Sequence, residues 1–219
     1  MFRIFKDRHD AGVQLTAKLG TYGNDPTVLV LGLPRGGVPV AYEVARGLRA
    51  PLDVLVVRKL GVPGHRELAM GAIASGGMRV LNQDVLAALN ISNAMIEMVA
   101  EQEQKELERQ ERAYRGNSPF PALEGRKLIV VDDGLATGST MRAAVRALRQ
   151  GNPERIVVAA PVAAAETYRS LSKEADGVVC CEVPESFYAV SVWYEEFGQT
   201  SDEEVRSLLE SANQAAHLR

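Results

Sequence analysis

The feature of this chain that most restricts its fold is a series of short apolar runs, each followed by a helical pattern. The predicted strands are residues 28–31, 52–57, 127–131, 155–160 and 178–183. A continuous apolar strand must be buried on both faces, and strands that alternate with helices form parallel sheets. The sequence therefore predicts an α/β fold with a mostly parallel sheet flanked by helices.

The length of the chain, 219 residues, suits one well-buried domain. We expect this single domain to occupy residues 1–219, with a core over about 25–183 and a small hood formed by the chain ends, mainly 184–219. A net charge of −3 argues against a nucleic-acid partner, since such proteins usually carry a basic face.

Two further features bear on the compartment. No apolar run reaches the roughly 18 residues of a membrane span, and residues 1–10 lack the apolar core of a signal peptide. Cys180 and Cys181 are adjacent in an apolar run, which favours buried, reduced thiols. We therefore expect no membrane partner and a cytoplasmic location.

The strand at 127–131 leads into the segment with the most chemical information. Asp132 and Asp133 follow it, and then come small and hydroxyl-bearing residues and the start of a helix. Backbone N–H groups at a helix N-terminus suit a phosphate, whereas carboxylates repel phosphate and suit hydroxyls or Mg²⁺. A ligand such as ribose 5-phosphate satisfies both halves. The alternative is that the aspartates only cap the turn and the helix.

The segment 130–140, Val-Val-Asp-Asp-Gly-Leu-Ala-Thr-Gly-Ser-Thr, resembles the signature of type I phosphoribosyltransferases, and the order of elements is similar over about 25–185. The resemblance implies a Rossmann-like core. It implies transfer of the 5-phosphoribosyl group from phosphoribosyl pyrophosphate to a nitrogen of a small heterocyclic acceptor, with release of pyrophosphate. It also implies Mg²⁺, a homodimer and a role in nucleotide salvage.

The same resemblance assigns roles within this segment. Asp132 and Asp133 are expected to hold the ribose and the metal ion. The 5-phosphate is expected to bind the loop formed by Ala136, Thr137, Gly138, Ser139 and Thr140.

A second glycine-rich loop joins the first strand to its helix. Its residues Arg35, Gly36 and Gly37 allow close backbone approach and offer a guanidinium to a diphosphate. In the family that the chain resembles, this position is the pyrophosphate loop. The alternative is an ordinary turn with a solvated arginine.

Residues 58–71 contain three glycines, one proline and several charges, which favours a long loop. By position it corresponds to the family's flexible catalytic loop. Its candidate residues are Lys59, His65, Arg66 and Glu67. Glu67 is a candidate general base, because Ala136 stands where the 6-oxopurine enzymes have an acidic residue. Guanine, hypoxanthine and xanthine are therefore less favoured as acceptors.

The aromatic segment 184–200 is the candidate acceptor pocket, with Phe187 or Trp193 stacking on a planar base. The alternative is that these rings pack the C-terminal helix or a subunit interface. A charged helix is predicted over 92–115 and is expected to be solvated or to face another subunit.

Two other functions are compatible with the motif. A phosphoribosyl pyrophosphate sensor would bind without turnover, but the intact loop at 35–37 and the lack of a DNA-binding segment favour an enzyme. A hydrolase is the third possibility, and it requires a site that admits water.

Overall fold

The computed structural model describes the backbone of residues 4–217, and their side chains except at 66, 67 and 215–217. The helices are α1 Arg8–Lys18, α2 Gly37–Leu48, α3 Gln83–Ala88, α4 Asn93–Arg115, α5 Ser139–Leu148, α6 Ala165–Leu171 and α7 Asp202–His217. The strands are β1 Val28–Gly32, β2 Leu52–Val54, β3 Val57–Val62, β4 His65–Ala74, β5 Met78–Leu81, β6 Lys127–Val131, β7 Arg155–Val162 and β8 Gly177–Glu182.

The centre of the molecule is a five-stranded sheet with the strand order β2-β1-β6-β7-β8, and all neighbours are parallel. Successive residues of a strand point to opposite faces. Accordingly, Val30 and Ile129 belong to one core cluster, and Leu31 and Val130 belong to the other. The predicted α/β fold is confirmed, because the central strands are apolar on both faces and each face is covered.

The two faces of the sheet are covered differently. Helices α1 and α2 pack on one side, α7 packs there against α2 and β2, and α4 packs on α7, β3 and β4. Helix α5 packs on the other side and also contacts the strands β3, β4 and β5. Helix α4 begins after the N-cap Ser92, and its buried residues Ile96, Ala100, Leu107 and Tyr114 form one face. The charged helix predicted over 92–115 is thus part core and part surface.

The structure corrects the prediction that residues 58–71 form a long loop. Strands β3 and β4 pair there as an antiparallel hairpin, and β5 completes a three-stranded sheet. The tight turn at Gly64 has a positive φ, and Leu60 and Met70 are fully buried. The glycines and charges of this segment suggested a loop, but its apolar residues pack into the core. Strands β4 and β5 pair in an antiparallel hairpin whose turn contains Gly76 and Gly77.

The first described residues lie beside the segment that precedes α7. Phe5 pairs with Tyr194 in a parallel bridge, its N–H donates to the Trp193 carbonyl, and its carbonyl accepts from the N–H of Glu195. This brings the start of α1 to the segment before α7, beside the carboxyl end of the sheet. No helix within the described residues is both long and apolar enough to span a bilayer.

Candidate functional site

Two loops meet at the carboxyl edge of the parallel sheet. Strands β1 and β6 are neighbours, and Gly32 is in register with Val131. From β1 the chain continues outward to β2, whereas from β6 it continues the other way to β7 and β8. Such a change of direction leaves a crevice at the strand ends, where ligands bind in open α/β sheets. The loops at 33–37 and 132–138 line this crevice.

The first loop lies directly against the second. A Cβ atom on Gly36 would overlap Asp133 Oδ2, and one on Gly37 would lie 2.6 Å from the Val131 carbonyl oxygen. The Leu33 N–H also donates to that oxygen, at 2.9 Å. The Pro34–Arg35 peptide bond is cis. Only glycine allows this approach, so the two loops form one surface.

The two aspartates differ in their surroundings. Asp132 Oδ1 accepts from the Asp133 N–H at 2.9 Å, whereas Asp133 Oδ2 accepts from Arg8 Nε at 2.8 Å. Burial raises the pKa of Asp132 well above its usual value, and the neighbouring carboxylate of Asp133 raises it further. Burial also raises the pKa of Asp133, although the charge of Arg8 opposes this shift.

The loop that leads into α5 has the form of an anion site. Gly138 has a φ of 66°, and α5 begins at the next residue. The N–H groups of a first helical turn have no partners within the helix, and they carry the positive end of its dipole. Two contacts hold the loop: Thr167 Oγ1 donates to the Ala136 carbonyl at 2.5 Å, and Arg142 donates to that of Thr137 at 2.8 Å.

The antiparallel sheet reaches this loop. A cavity of about 380 Å³ lies between the sheet and α5, and it is lined by Lys59 on β3 and by Thr137, Ser139 and Arg142. Lys59 and the loop that leads into α5 therefore line the same cavity. His65 is exposed at the start of β4. The side chains of Arg66 and Glu67 lie outside the described part of the chain, so the role of Glu67 as a general base stays a prediction.

Arg35, in the first loop, faces the start of α7. Its Nη1 is 3.8 Å from Asp202 Oδ1. The same carboxylate oxygen accepts from the Tyr114 hydroxyl at 2.8 Å. The Arg35 side chain is partly exposed, so a ligand can compete with Asp202 for it.

The structure separates the two aromatic candidates. Trp193 is only 4% exposed and packs with Phe5, Ala11 and Val162, so its ring belongs to the core and cannot stack on a base. Phe187 is half-buried against the same cluster. Tyr188, in contrast, is 92% exposed. Packing, the alternative left open by the sequence, describes Trp193.

Several residues that contact the site were missed by sequence reasoning. Arg8 reaches Asp133 across 125 positions, and the Thr167 contact to Ala136 spans 31. The Tyr194 hydroxyl donates to the Asp133 carbonyl at 2.5 Å. An isolated arginine or threonine gives no local signal of a distant partner. The aromatic content of 184–200 was the one available hint, and it pointed to Tyr194 only as a member of that group.

The donor set fits one kind of metal ion. Among the side chains that the structure describes, no group of three or more histidine, cysteine or acidic residues is placed to hold a metal. Asp132 and Asp133 are two adjacent carboxylates at a crevice. Mg²⁺ is commonly held by one or two carboxylates together with substrate oxygens, so this pair fits an ion that shares its ligands with a phosphorylated substrate.

Comparison with known proteins gives consistent results. The family model described as "Phosphoribosyl transferase domain" matches residues 10–196. Two Mycobacterium tuberculosis proteins, each named provisionally as a phosphoribosyl transferase, are 47% identical over 212 residues, which is 96% of this chain and 47% of theirs. The chain thus spans about half the length of these relatives. The crystal structure of TT1426 from Thermus thermophilus is 42% identical, with a TM-score of 0.83 over 95% of this chain and 98% of that one.

Proposed function

Because the chain belongs to the phosphoribosyl transferase domain family, we propose that it moves the 5-phosphoribosyl group of phosphoribosyl pyrophosphate to a nitrogen of a small heterocyclic acceptor. The observation that carries the proposal is the meeting of Asp133 with Gly36 at the edge of the sheet, beside the loop that opens α5. A single ligand with a phosphate, vicinal hydroxyls and a diphosphate matches this order of groups.

Each part of the ligand has a partner in this arrangement. The loop at 136–140 binds the 5-phosphate through its N–H groups, and the aspartates accept from the ribose hydroxyls. Arg35 and Lys59 neutralise the diphosphate. The bond from the anomeric carbon to the diphosphate oxygen breaks with its electrons on pyrophosphate. The acceptor nitrogen forms the new bond and passes its proton to a general base, for which Glu67 is the candidate. The protein contributes positioning and charge stabilisation.

Mg²⁺ belongs to the same proposal. Asp132 and Asp133 would hold the ion together with oxygens of the ligand. When bound, Mg²⁺ supplies positive charge that offsets the charge of the departing pyrophosphate.

The acceptor is proposed to lie against the segment that follows β8. Phe187 remains the candidate for stacking on the acceptor, whereas Trp193 is excluded from this role because it is buried. Ala136 in the loop argues against 6-oxopurine bases, as expected from the sequence. The homodimer, the role in nucleotide salvage and the cytoplasmic location stay predictions that follow from the resemblance and the composition.

A direct test combines binding and turnover. Calorimetry with Mg²⁺ and phosphoribosyl pyrophosphate measures binding, and pyrophosphate release is followed separately with adenine, guanine, hypoxanthine, xanthine, uracil and orotate. We expect binding, release with one acceptor, and loss of both in Asp133→Asn. Asp84→Asn, an exposed aspartate on α3, is the matched control and should behave as wild type.

The other outcomes separate the alternatives. Release of pyrophosphate without any acceptor identifies a hydrolase. Tight binding with no release for all six bases favours the sensor over the transferase. Absence of binding contradicts the proposal as a whole.

A further inference from the structure

We infer that Arg8 is a positioning residue for Asp133. In this inference Phe197 and Gly198, which lie just before α7, hold Arg8 in place. The inference rests on the proposed function, since it concerns the same ribose-binding carboxylate. Arg8, Phe197 and Gly198 all lie outside the matched family domain, which covers 10–196. Residues just outside both limits of this match therefore contact the site.

The contact between Arg8 and Asp133 is short and mostly shielded from water. Arg8 Nε lies 2.8 Å from Asp133 Oδ2, and the two side chains are 13% and 15% exposed. The loop at 33–37 covers the pair, because a Cβ on Gly36 would lie 3.3 Å from Arg8 Nε. A charged hydrogen bond with little solvent is stronger and more directional than a surface ion pair.

Arg8 is fixed from its other side by the C-terminal segment. Its Nη1 donates to the Gly198 carbonyl at 2.6 Å, and its guanidinium carbon lies 4.0 Å from the centroid of the Phe197 ring. Phe197 in turn packs on Tyr194, with 4.9 Å between ring centroids. A guanidinium with a bond at each edge and a ring on one face has little freedom to rotate.

The same cluster fixes the main chain of Asp133. The Tyr194 hydroxyl donates to the Asp133 carbonyl at 2.5 Å. The carboxylate of Asp133 is thus held by Arg8 at the start of α1, and its backbone is held by Tyr194 in the segment before α7. With Oδ2 engaged by Arg8, the carboxylate has less freedom to rotate, and we expect it to meet a ribose hydroxyl in one orientation. Such pre-orientation removes an entropy cost from binding.

The charge of Arg8 also reduces the repulsion between the two carboxylates of the site. Asp132 and Asp133 are adjacent carboxylates, and two such charges repel each other strongly in a partly buried crevice. A single guanidinium beside Asp133 offsets part of that repulsion. Arg8 does not contact the ligand in this scheme, and its effect passes through Asp133.

The test is a double-mutant cycle on ligand affinity. Calorimetry with Mg²⁺ gives the affinities for ribose 5-phosphate and 2-deoxyribose 5-phosphate in wild type, Arg8→Gln, Asp133→Asn and the double variant. We expect wild type to prefer ribose 5-phosphate and Arg8→Gln to weaken that ligand by about tenfold, a typical coupling between residues in contact. The 2-deoxy ligand should change little, and Arg8→Gln should have no further effect in the Asp133→Asn background.

Three variants separate positioning from general stability. Arg8→Lys keeps the charge and should restore part of the lost affinity. Phe197→Leu leaves the ion pair intact and removes the ring that stacks on Arg8 and packs on Tyr194, so it should reduce the ribose preference by a smaller factor. Arg149→Gln, just after α5, removes a 2.7 Å ion pair with Asp176 and should leave both affinities unchanged. Thermal unfolding of each variant identifies any that fail to fold.

Three results would overturn the inference while leaving the proposed function intact. They are equal losses for both sugar phosphates, the same loss from Arg8→Gln with and without the Asp133 carboxylate, and an Arg8→Gln protein that binds like wild type. If wild type binds neither sugar phosphate and also fails to bind phosphoribosyl pyrophosphate, the proposed function itself is wrong.

Discussion

At the level of single residues, the crevice depends on positions where no side chain can be added. Gly36 faces the Asp133 carboxylate, and Gly37 faces the end of β6. Each contact involves a backbone or a held carboxylate rather than the tip of a flexible side chain. The spacing of the loops is therefore set by the absence of a Cβ atom.

We expect Gly36→Ala to lower stability and ligand affinity more than the addition of one exposed methyl group would. The added methyl would overlap Asp133 Oδ2, and overpacking of this kind typically costs about 1–3 kcal/mol. Urea unfolding measures the loss of stability, and calorimetry with phosphoribosyl pyrophosphate measures the loss of affinity. Gly20→Ala is the matched control, because a Cβ there meets nothing within 4 Å. Similar behaviour of the two variants would contradict the role assigned to the close approach.

A second prediction for a single residue concerns Thr167. Its hydroxyl donates to the Ala136 carbonyl in the loop, and the side chain is buried. Thr167→Val keeps the shape and removes the donor, so we expect a loss of about 1 kcal/mol in the free energy of unfolding. Affinity for inorganic phosphate should fall with it, because the loop loses its anchor. Unchanged phosphate affinity, measured by calorimetry, would show that the loop is held without this bond.

At the level of secondary-structure elements, the antiparallel sheet distinguishes the observed architecture from the predicted one. Its strands β3 and β4 occupy the segment that was expected to be a loop, and they share a cavity with the helix α5. A strand carries its side chains in defined directions, so Lys59 has a fixed relation to Thr137 and Ser139 that a mobile loop would lack.

We expect Lys59→Met to weaken phosphoribosyl pyrophosphate binding by about two- to fivefold, the range for an exposed charge pair. The dependence of affinity on salt should also become shallower, because exposed charges are screened by ions. Lys105→Met, an exposed lysine on α4, makes the same change in net charge and serves as the control. Calorimetry at low and high salt provides the comparison. Equal losses of affinity in the two variants would show that Lys59 has no specific role in binding.

For the molecule as a whole, the neighbouring strands β1 and β6 place the two loops together. Their opposite ends are joined by an ion pair, with Lys127 Nζ 2.8 Å from Asp25 Oδ2. The hydrogen bond from Lys127 lowers the pKa of Asp25 to about 2. The folded-state pKa is depressed, so this carboxylate stabilises the fold above its unfolded pKa. The contribution is lost as the pH falls through about 2.

We therefore expect Asp25→Asn to be less stable than wild type at neutral pH, and the difference to shrink as the pH falls through about 2 and the carboxyl group becomes protonated. Urea unfolding of both proteins at the two pH values tests this. Asp84→Asn, at an exposed position, should show no such pH-dependent difference. If the difference in free energy of unfolding between Asp25→Asn and wild type persists unchanged at low pH, the prediction is wrong. The difference would then come from contacts other than the ionised carboxylate.

Local patterns in the sequence were sufficient to predict the α/β class and the positions of both loops. The apolar run before Asp132 and the glycines after Arg35 are each visible within a few residues. Burial of strands on two faces follows directly from such runs.

Which distant residues meet was settled by the tertiary structure and not by any local pattern. The contact of Arg8 with Asp133, the hydrogen bond of Thr167 to Ala136 and the packing of Trp193 with Phe5 all join segments that are far apart in the sequence. The charges and glycines at 58–71 carried a loop signal that packing of Leu60 and Met70 overrode. A local pattern decides secondary structure only where packing agrees with it, whereas a site is assembled by burial and pairing between segments far apart in the chain.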